Sequence, residues 1–345
     1  MTRTLLLTGG CGFIGSNFVR FVLANRPDWR IINLDVLSYS GNPENLADLE
    51  GDPRYRFVKG DICDMDTVAP LMEEADGVVH MAAESHVDRS IMDSKPFVVS
   101  NVLGTQTLLD AARRAKGGKG AGRFVLVSTD EVYGSLPLER PDLRFTEETP
   151  LQPNSPYAAS KTGADLLARA AFHTFGMDVV TTRCSNNFGP YQFPEKVIPL
   201  FVTNLMENQQ VPLYGDGKNV RDWIHVDDHC EGVLTVLEKG RAGEVYNIGG
   251  DNERSNLELT HAILDIMGKG KDMIRPVQDR LGHDRRYAID ASKMANELGW
   301  RPSRSAWPDA LESTVRWYVD NRSWWQRVKS GAYREYYAKQ YGAKG

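Results

Sequence analysis

The stretch TLLLTGGCGFIGSNFVRFVLAN (4–25) constrains this chain more than any other. An apolar run ends at Thr8, glycines follow at 9, 10, 12 and 15, and apolar residues then recur at 14, 18, 21 and 22, the spacing of a helix. A strand that turns into a helix through glycines leaves open N–H groups at the positive end of that helix, where a pyrophosphate is stabilised. The glycines let the chain turn tightly, approach the phosphates and pack the helix on the strand. Asp35 ends the next apolar run, RIINLD (30–35). Its carboxylate suits an adenosine ribose diol and repels a 2′-phosphate. No Arg follows within VLSYSGN (36–42), so the expected cofactor is NAD rather than NADP.

The same rhythm continues. Short runs with apolar centres fall at 55–61, 77–83, 123–128 and 178–183, separated by helical patterns near 65–74, 95–116 and 157–175. Such strands belong to a parallel sheet covered on both faces, and ligands bind beyond its carboxyl ends. The expected fold class is therefore α/β, a Rossmann-type doubly wound parallel sheet. After about residue 185 the pattern breaks at Pro190, Pro194, Pro199 and Pro212, and irregular segments and short helices follow. A helix and a strand return within 220–250, and helices are expected near 256–267, 291–298 and 308–320. This divides the chain into an NAD-binding part (1–185 plus about 220–250) and a smaller mixed α/β lobe (about 186–219 plus 251–345). The connector KGGKGAG (116–122) gets no function, and the aromatic tail from Trp324 to Gly342 is expected to pack back on the fold.

With 41 Lys plus Arg against 46 Asp plus Glu, the chain is mildly acidic, which argues against nucleic acid as a partner. Cys11, Cys63, Cys184 and Cys230 lack CxxC spacing, so neither a disulfide framework nor a metal site is expected, and a cytoplasmic setting fits. The histidines show no ligand spacing. The run LLL is too short for a signal-peptide core, and no stretch has the length of a membrane span.

Chemistry concentrates at two places. In SPYAASKTGADLLARAAF, Tyr157 and Lys161 stand four apart and share a helix face. A phenol next to an ammonium and a cationic nicotinamide would be tuned toward a base; alone, the pair also reads as a surface Tyr and Lys. In VLVSTDEVYG (125–134), a buried strand ends at Thr129, Asp130 and Glu131. These acids either cap a turn or share proton chemistry. Asp61 and Ile62, ending the third strand, fit an adenine edge or a simple turn. The alanines of MAAES (81–85) leave room for a cofactor.

Taken together, TGGxGFIG, Asp35, STDEVYG and YxxxK resemble the extended short-chain dehydrogenase/reductase superfamily, and more narrowly its nucleotide-sugar 4,6-dehydratases. The resemblance extends through AAESHVDRS (82–90), TRCSNNFGPYQFPEKVIPLF (182–201), GDGKNVRDWIHVDDH (215–229) and DRLGHDRRYAID (279–290). It implies a lyase that removes water from a nucleoside-diphosphate hexose, with dTDP-glucose favoured. C4 is oxidised, water leaves across C5 and C6, and hydride returns to C6. Tyr157 would take the 4-hydroxyl proton with Lys161 in support. Thr129 would orient that hydroxyl, Glu131 would remove the C5 proton and Asp130 would protonate the leaving C6 hydroxyl.

The resemblance also implies contacts. NAD would meet Gly9, Gly12, Phe13, Ile14, Gly15, Asp35, Val36, Leu37, Ser38, Asp61, Ile62, Met81, Ala82, Ala83, Ser85, Ser100, Tyr157, Lys161 and Asn187. The nucleotide sugar would meet Ser85, Thr129, Asn186, Lys196, Val197, Pro212, Leu213, Tyr214, Arg221, Asn256, Arg280 and His283, because a diphosphate needs charge-assisted donors. His86 is expected to be structural, and a homodimer through the helices near 95–116 and 157–175 is implied. Two residues depart from the family pattern. Cys11 replaces a small alanine-like residue, which would expose the glycine loop to alkylation or oxidation. Leu281 replaces a proline, which would loosen the loop carrying Arg280. A 4-epimerase or decarboxylase would need Tyr157, Lys161 and NAD but no acid–base pair. An NAD-binding sensor would need neither catalytic set.

Overall fold

The structure, a computed structural model, describes residues 3–329. Its main sheet is parallel throughout and has the order β10–β6–β5–β4–β1–β2–β3. Its strands are β1 (Arg3–Thr8), β2 (Trp29–Asp35), β3 (Tyr55–Lys59), β4 (Gly77–His80), β5 (Arg123–Thr129), β6 (Val179–Cys184) and β10 (Val245–Ile248). Successive strand residues face opposite sides. Leu5, Leu7 and Val79 therefore pack with Phe18 and Val22 of α1 (Phe13–Asn25) and with Val233 and Leu237 of α8 (Val226–Lys239). Leu6, Val78 and Leu126 meet the other layer, formed by α2 (Met65–Glu74), α5 (Thr105–Gly118) and α6 (Pro156–Phe175). The chain reverses its direction of travel across the sheet between β1 and β4, which opens a crevice at their carboxyl ends.

Two small sheets complete the molecule: β7 (Asn186–Phe188), β9 (Val220–His225) and β11 (Glu253–Ser255), and the pair β8 (Val211–Tyr214) with β12 (Ile274–Val277). They share a core around Phe188, Phe201, Leu259, Leu311 and Trp325 with α7 (Val197–Met206), α9 (Asn256–Ile266), α10 (Asp309–Asp320) and α11 (Arg322–Val328).

The structure redraws several expectations. The helix expected over 95–116 is three pieces, α4 (Lys95–Phe97), a π-helical turn Val98–Gly104 and α5, preceded by the unanticipated α3 (Val87–Met92). Gly104 packs so closely that a Cβ there would lie 2.4 Å from Ile62. The strands expected to run to 61 and 83 stop at Lys59 and His80, where their chains leave the sheet for the crevice. The helix expected at 291–298 is a π-helical turn, Met294–Leu298, ended by Gly299 at φ +72°. The boundary of the smaller lobe also differs. β9 pairs with β7 and β11 rather than with the main sheet, whereas Met294, Leu298 and Trp300 pack into the main core. Trp324 and Trp325 are buried, and the aromatic tail from residue 330 onward lies outside the described residues.

Candidate active site

The acid pair sits where β5 stops. Thr129 is still extended, and its hydroxyl accepts the Glu131 N–H at 3.3 Å, so the chain bends into a 3-10 turn over Asp130–Tyr133. Gly134 closes the turn at φ +90°, where a Cβ would lie 2.4 Å from the Gln152 carbonyl. Neighbours on a continuing strand would face opposite ways, but this bend lets Asp130 and Glu131 line the same cleft. The turn-capping and proton-chemistry readings of the pair are therefore compatible: Thr129 caps the turn, and the acids line the cleft.

Tyr157 and Lys161 enter from α6. Ser155 accepts the Ala158 N–H at 3.1 Å, Pro156 opens the first turn, and Gly176 in the left-handed region ends the helix. Both residues are buried and line the cleft, which excludes the surface-pair reading. The Lys161 ammonium donates to the Val127 carbonyl at 2.8 Å.

The two acids live in different fields. Burial drives the Asp130 carboxyl well above the carboxylate range, and the charges of Glu131 and Asp222 push it further. Its Oδ1 accepts from the Thr129 hydroxyl at 3.3 Å, and its Oδ2 has no partner among the described residues. Burial also raises Glu131, but Arg280, Arg221 and Lys196 oppose that shift. Both carboxyls are thus pushed toward carrying a proton, Asp130 with anionic neighbours that add to the effect and Glu131 with cationic neighbours that oppose it. Tyr157 departs from expectation. Burial, followed by the Glu131 charge, holds the phenol well above its usual value, against a hydrogen bond with Thr129. Lys161, lowered by burial to about 8, is committed to the strand carbonyl.

The cleft holds about 460 Å³ and runs from the glycine loop to the acids. The residues expected at NAD that line it are Gly9, Gly12, Phe13, Ile14, Gly15, Asp35, Val36, Ser38, Asp61, Ile62, Met81, Ala82, Ala83, Ser85, Ser100, Tyr157, Lys161 and Asn187. Leu37 does not: it turns at φ +57°, and its N–H is tied to Asp35 Oδ1 at 2.8 Å. The site fits a dinucleotide. Gly9, at φ +76°, approaches the Ala82 backbone so closely that a Cβ would lie 2.7 Å from it. Gly12 starts α1 without a side-chain cap, so the first-turn N–H groups have no side chain competing for a phosphate. Asp35 Oδ2 accepts the Cys11 N–H at 2.9 Å and holds the loop against the second strand.

A second cavity of about 180 Å³ adjoins the first, and Ser85, Glu131, Asn186, Glu195 and Lys196 line both. Val197, Pro212, Leu213, Tyr214, Arg221, Asn256, Arg280 and His283 line it as expected of a nucleotide pocket. Lys196 donates to the Ser85 carbonyl at 3.0 Å, Arg221 donates to the Asp284 carbonyl at 3.0 Å, and Arg280 lies 3.6 Å from Asp88. Sequence reasoning missed Asp88, which also accepts from the Tyr214 hydroxyl, and Glu195, paired with Arg89 at 3.0 Å. Both lie inside segments singled out for resemblance, but acids in an anion pocket run against simple charge matching. His86 is buried and caps α3 by accepting the Arg89 N–H. Cys11 corrects an expectation: it is buried, and its thiol is pushed up to about 12, chiefly by burial, so the loop carries no reactive thiolate. Leu281 is 75% exposed and is absent from both linings. Among the described residues no group of three or more His, Cys, Asp or Glu could hold a metal, and no helix is long and apolar enough to cross a membrane.

Comparison with known proteins gives a consistent picture. The family model described as GDP-mannose 4,6 dehydratase matches residues 6–307. A dTDP-glucose 4,6-dehydratase of Actinoplanes sp. is 55% identical over 326 residues, 93% of this chain and 99% of the relative. One from Escherichia coli K12 is 44% identical and covers 98% of both chains. The crystal structure of DesIV, a dTDP-glucose 4,6-dehydratase from Streptomyces venezuelae with NAD and TYD bound, superposes with a TM-score of 0.90 at 55% identity, covering 94% of this chain and 100% of that one.

Proposed function

The chain belongs to the GDP-mannose 4,6-dehydratase family and, within it, to the dTDP-glucose 4,6-dehydratases, and we propose that Asp130 and Glu131 are its elimination pair and Tyr157 the base for the sugar 4-hydroxyl. It is an NAD-dependent hydro-lyase that converts dTDP-glucose to the 4-keto-6-deoxy sugar nucleotide. The observation that carries the assignment of roles is the unequal surroundings of the two acids, anionic at Asp130 and cationic at Glu131.

NAD, when bound along the glycine loop, supplies the acceptor for the C4 hydrogen, the later reductant of C6 and a positive ring charge that favours the Tyr157 phenolate. Thr129 holds the 4-hydroxyl toward Tyr157, which takes its proton. A ketone at C4 acidifies the C5 hydrogen. Glu131, whose burial-raised carboxyl is drawn back toward the charged form by Arg280, Arg221 and Lys196, removes that hydrogen as a proton. Asp130, kept protonated by burial and by its anionic neighbours, gives its proton to the C6 oxygen, which departs as water. Glu131 then returns a proton to C5. Burial of the whole set strengthens each of these interactions.

Arg221, Arg280 and Lys196 would hold the diphosphate, Asn186 the sugar side, and Pro212, Leu213 and Tyr214 the base, with Asn256 and His283 completing the pocket. NAD binding falls to 1–185 plus about 220–250, with β9 reassigned to the nucleotide-sugar lobe. A homodimer would cover Val98, Leu103 and Leu166, apolar yet 53%, 53% and 52% exposed on the helical layer. Four free cysteines fit a cytoplasmic setting. The test is a panel of dTDP-, UDP-, CDP- and GDP-hexoses with product NMR. Loss of the C6 oxygen from dTDP-glucose is expected; no elimination from any of them would overturn the reading.

A further inference from the structure

Behind the acid pair lies a buried polar chain that touches neither cavity. Arg183 of β6 makes a two-pronged ion pair with Asp165 of α6, both contacts 2.9 Å, with side chains 6% and 4% exposed. Its remaining nitrogen donates to the Tyr133 hydroxyl at 3.0 Å, and that hydroxyl donates to Asn247 Oδ1 of β10 at 2.8 Å. Tyr133 is the last residue of the turn that carries Asp130 and Glu131, and its ring stacks on Phe145. Asp165 stands four residues beyond Lys161 and eight beyond Tyr157, on the same face of α6. The chain therefore runs from the helix that oxidises C4, through one guanidinium, to the turn that eliminates water.

A buried ion pair is a weak source of stability, because desolvating both charges offsets most of their attraction. What a bidentate Arg–carboxylate pair does supply is fixed geometry. None of the three side chains lines the cleft or the nucleotide pocket, so none acts by contact with substrate.

We infer that Tyr133, Arg183 and Asp165 are positioning residues that hold the acid-bearing turn in register with the Tyr157–Lys161 helix. This couples C4 oxidation to water elimination. The inference rests on the roles proposed above for Glu131 and Tyr157. A displaced turn would leave the 4-ketone formed but its C5 hydrogen out of reach of Glu131. A misplacement of about 1 Å costs roughly 100-fold in rate.

The test is single-turnover kinetics of Tyr133→Phe with dTDP-glucose, following reduced-nicotinamide absorbance alongside C6 deoxygenation by NMR. The phenylalanine keeps the stacked ring and loses only the hydroxyl. Elimination is expected to slow about 10-fold to 100-fold and oxidation far less, so that the reduced nicotinamide accumulates, with affinity for dTDP unchanged. Arg183→Lys, which keeps the charge but loses the fork, should show the same imbalance, and it carries the comparison if Tyr133→Phe does not fold. Wild-type rates, or oxidation and elimination slowed equally, overturn the inference. Glu131→Gln is run alongside. If it eliminates water normally, the base assignment has failed. If it blocks elimination while Tyr133→Phe does not, only the positioning role has failed.

Discussion

Lys161 is bonded to the carbonyl of Val127, 2.8 Å away, so the ammonium one helical turn beyond Tyr157 is anchored to the strand that ends in the acid pair. The helix and the strand are joined at the level of the chemistry by a charge that has little access to water. Burial here shifts the proton affinity of several groups away from their values in water, with consequences for stability as well as for rate.

Lys161 binds its proton less tightly in the folded protein, at about 8 against 10.5. Between those values the unfolded chain keeps a proton that the folded chain has released, so stability rises with pH across that window. The full effect is about 3 kcal/mol. In Lys161→Met this rise should disappear from urea midpoints measured through the window; an unchanged slope would remove Lys161 as its source.

Asp130 has the opposite sign. Its raised carboxyl keeps a proton that the unfolded chain gives up, so the wild type loses stability as pH rises from about 4 toward the folded value. Asp130→Asn should melt a few degrees higher than the wild type at neutral pH, with the gap closing near pH 4, while turnover falls about 100-fold to 10,000-fold. A lower melting point at neutral pH would contradict the idea that Asp130 is frustrated in the fold.

Glu131→Gln keeps the shape and removes the base. C4 oxidation should proceed and elimination should stop, so reduced nicotinamide should build up on mixing with dTDP-glucose and deuterium should not enter C5 from solvent. Normal product formation would assign the base elsewhere.

Arg280 reaches into the nucleotide pocket beside Asp88. Losing a charge-assisted contact to phosphate costs about 1.5–3 kcal/mol. Arg280→Ala should therefore weaken dTDP binding about 10-fold to 100-fold in calorimetry and leave NAD binding intact. Equal weakening of both ligands would point to a general collapse of the pocket rather than a lost phosphate contact.

Cys11 should resist iodoacetamide in the native enzyme, because its thiol is buried and pushed up to about 12. Cys63 is less buried and should label first, as read by mass spectrometry of digests. Fast labelling of Cys11 with loss of NAD binding would restore the picture of a vulnerable loop.

Most of the cofactor cleft was legible because its signals are local. Glycines must stand where the backbone turns, Asp35 must end the second strand, and a spacing of four must put Tyr157 and Lys161 on one helix face. Leu37 escaped because a single positive φ turned it out of the lining. The burial of Cys11, which runs against the reactivity expected of it, was not legible because burial is a property of packing rather than of sequence neighbours. Asp88 and Glu195 were passed over because each acid is balanced by an arginine, Arg280 in one case and Arg89 in the other. In both cases that partner lies far along the chain.

The sequence by itself determined the doubly wound sheet and set the glycine loop, Asp35 and the two adjacent acids at strand ends, since periodicity and turn chemistry act over a few residues. Only the tertiary structure decided how differently the two acids are surrounded. That depends on Asp222, Arg221, Arg280 and Lys196, brought from distant segments to within electrostatic reach in a site where burial keeps water from screening them.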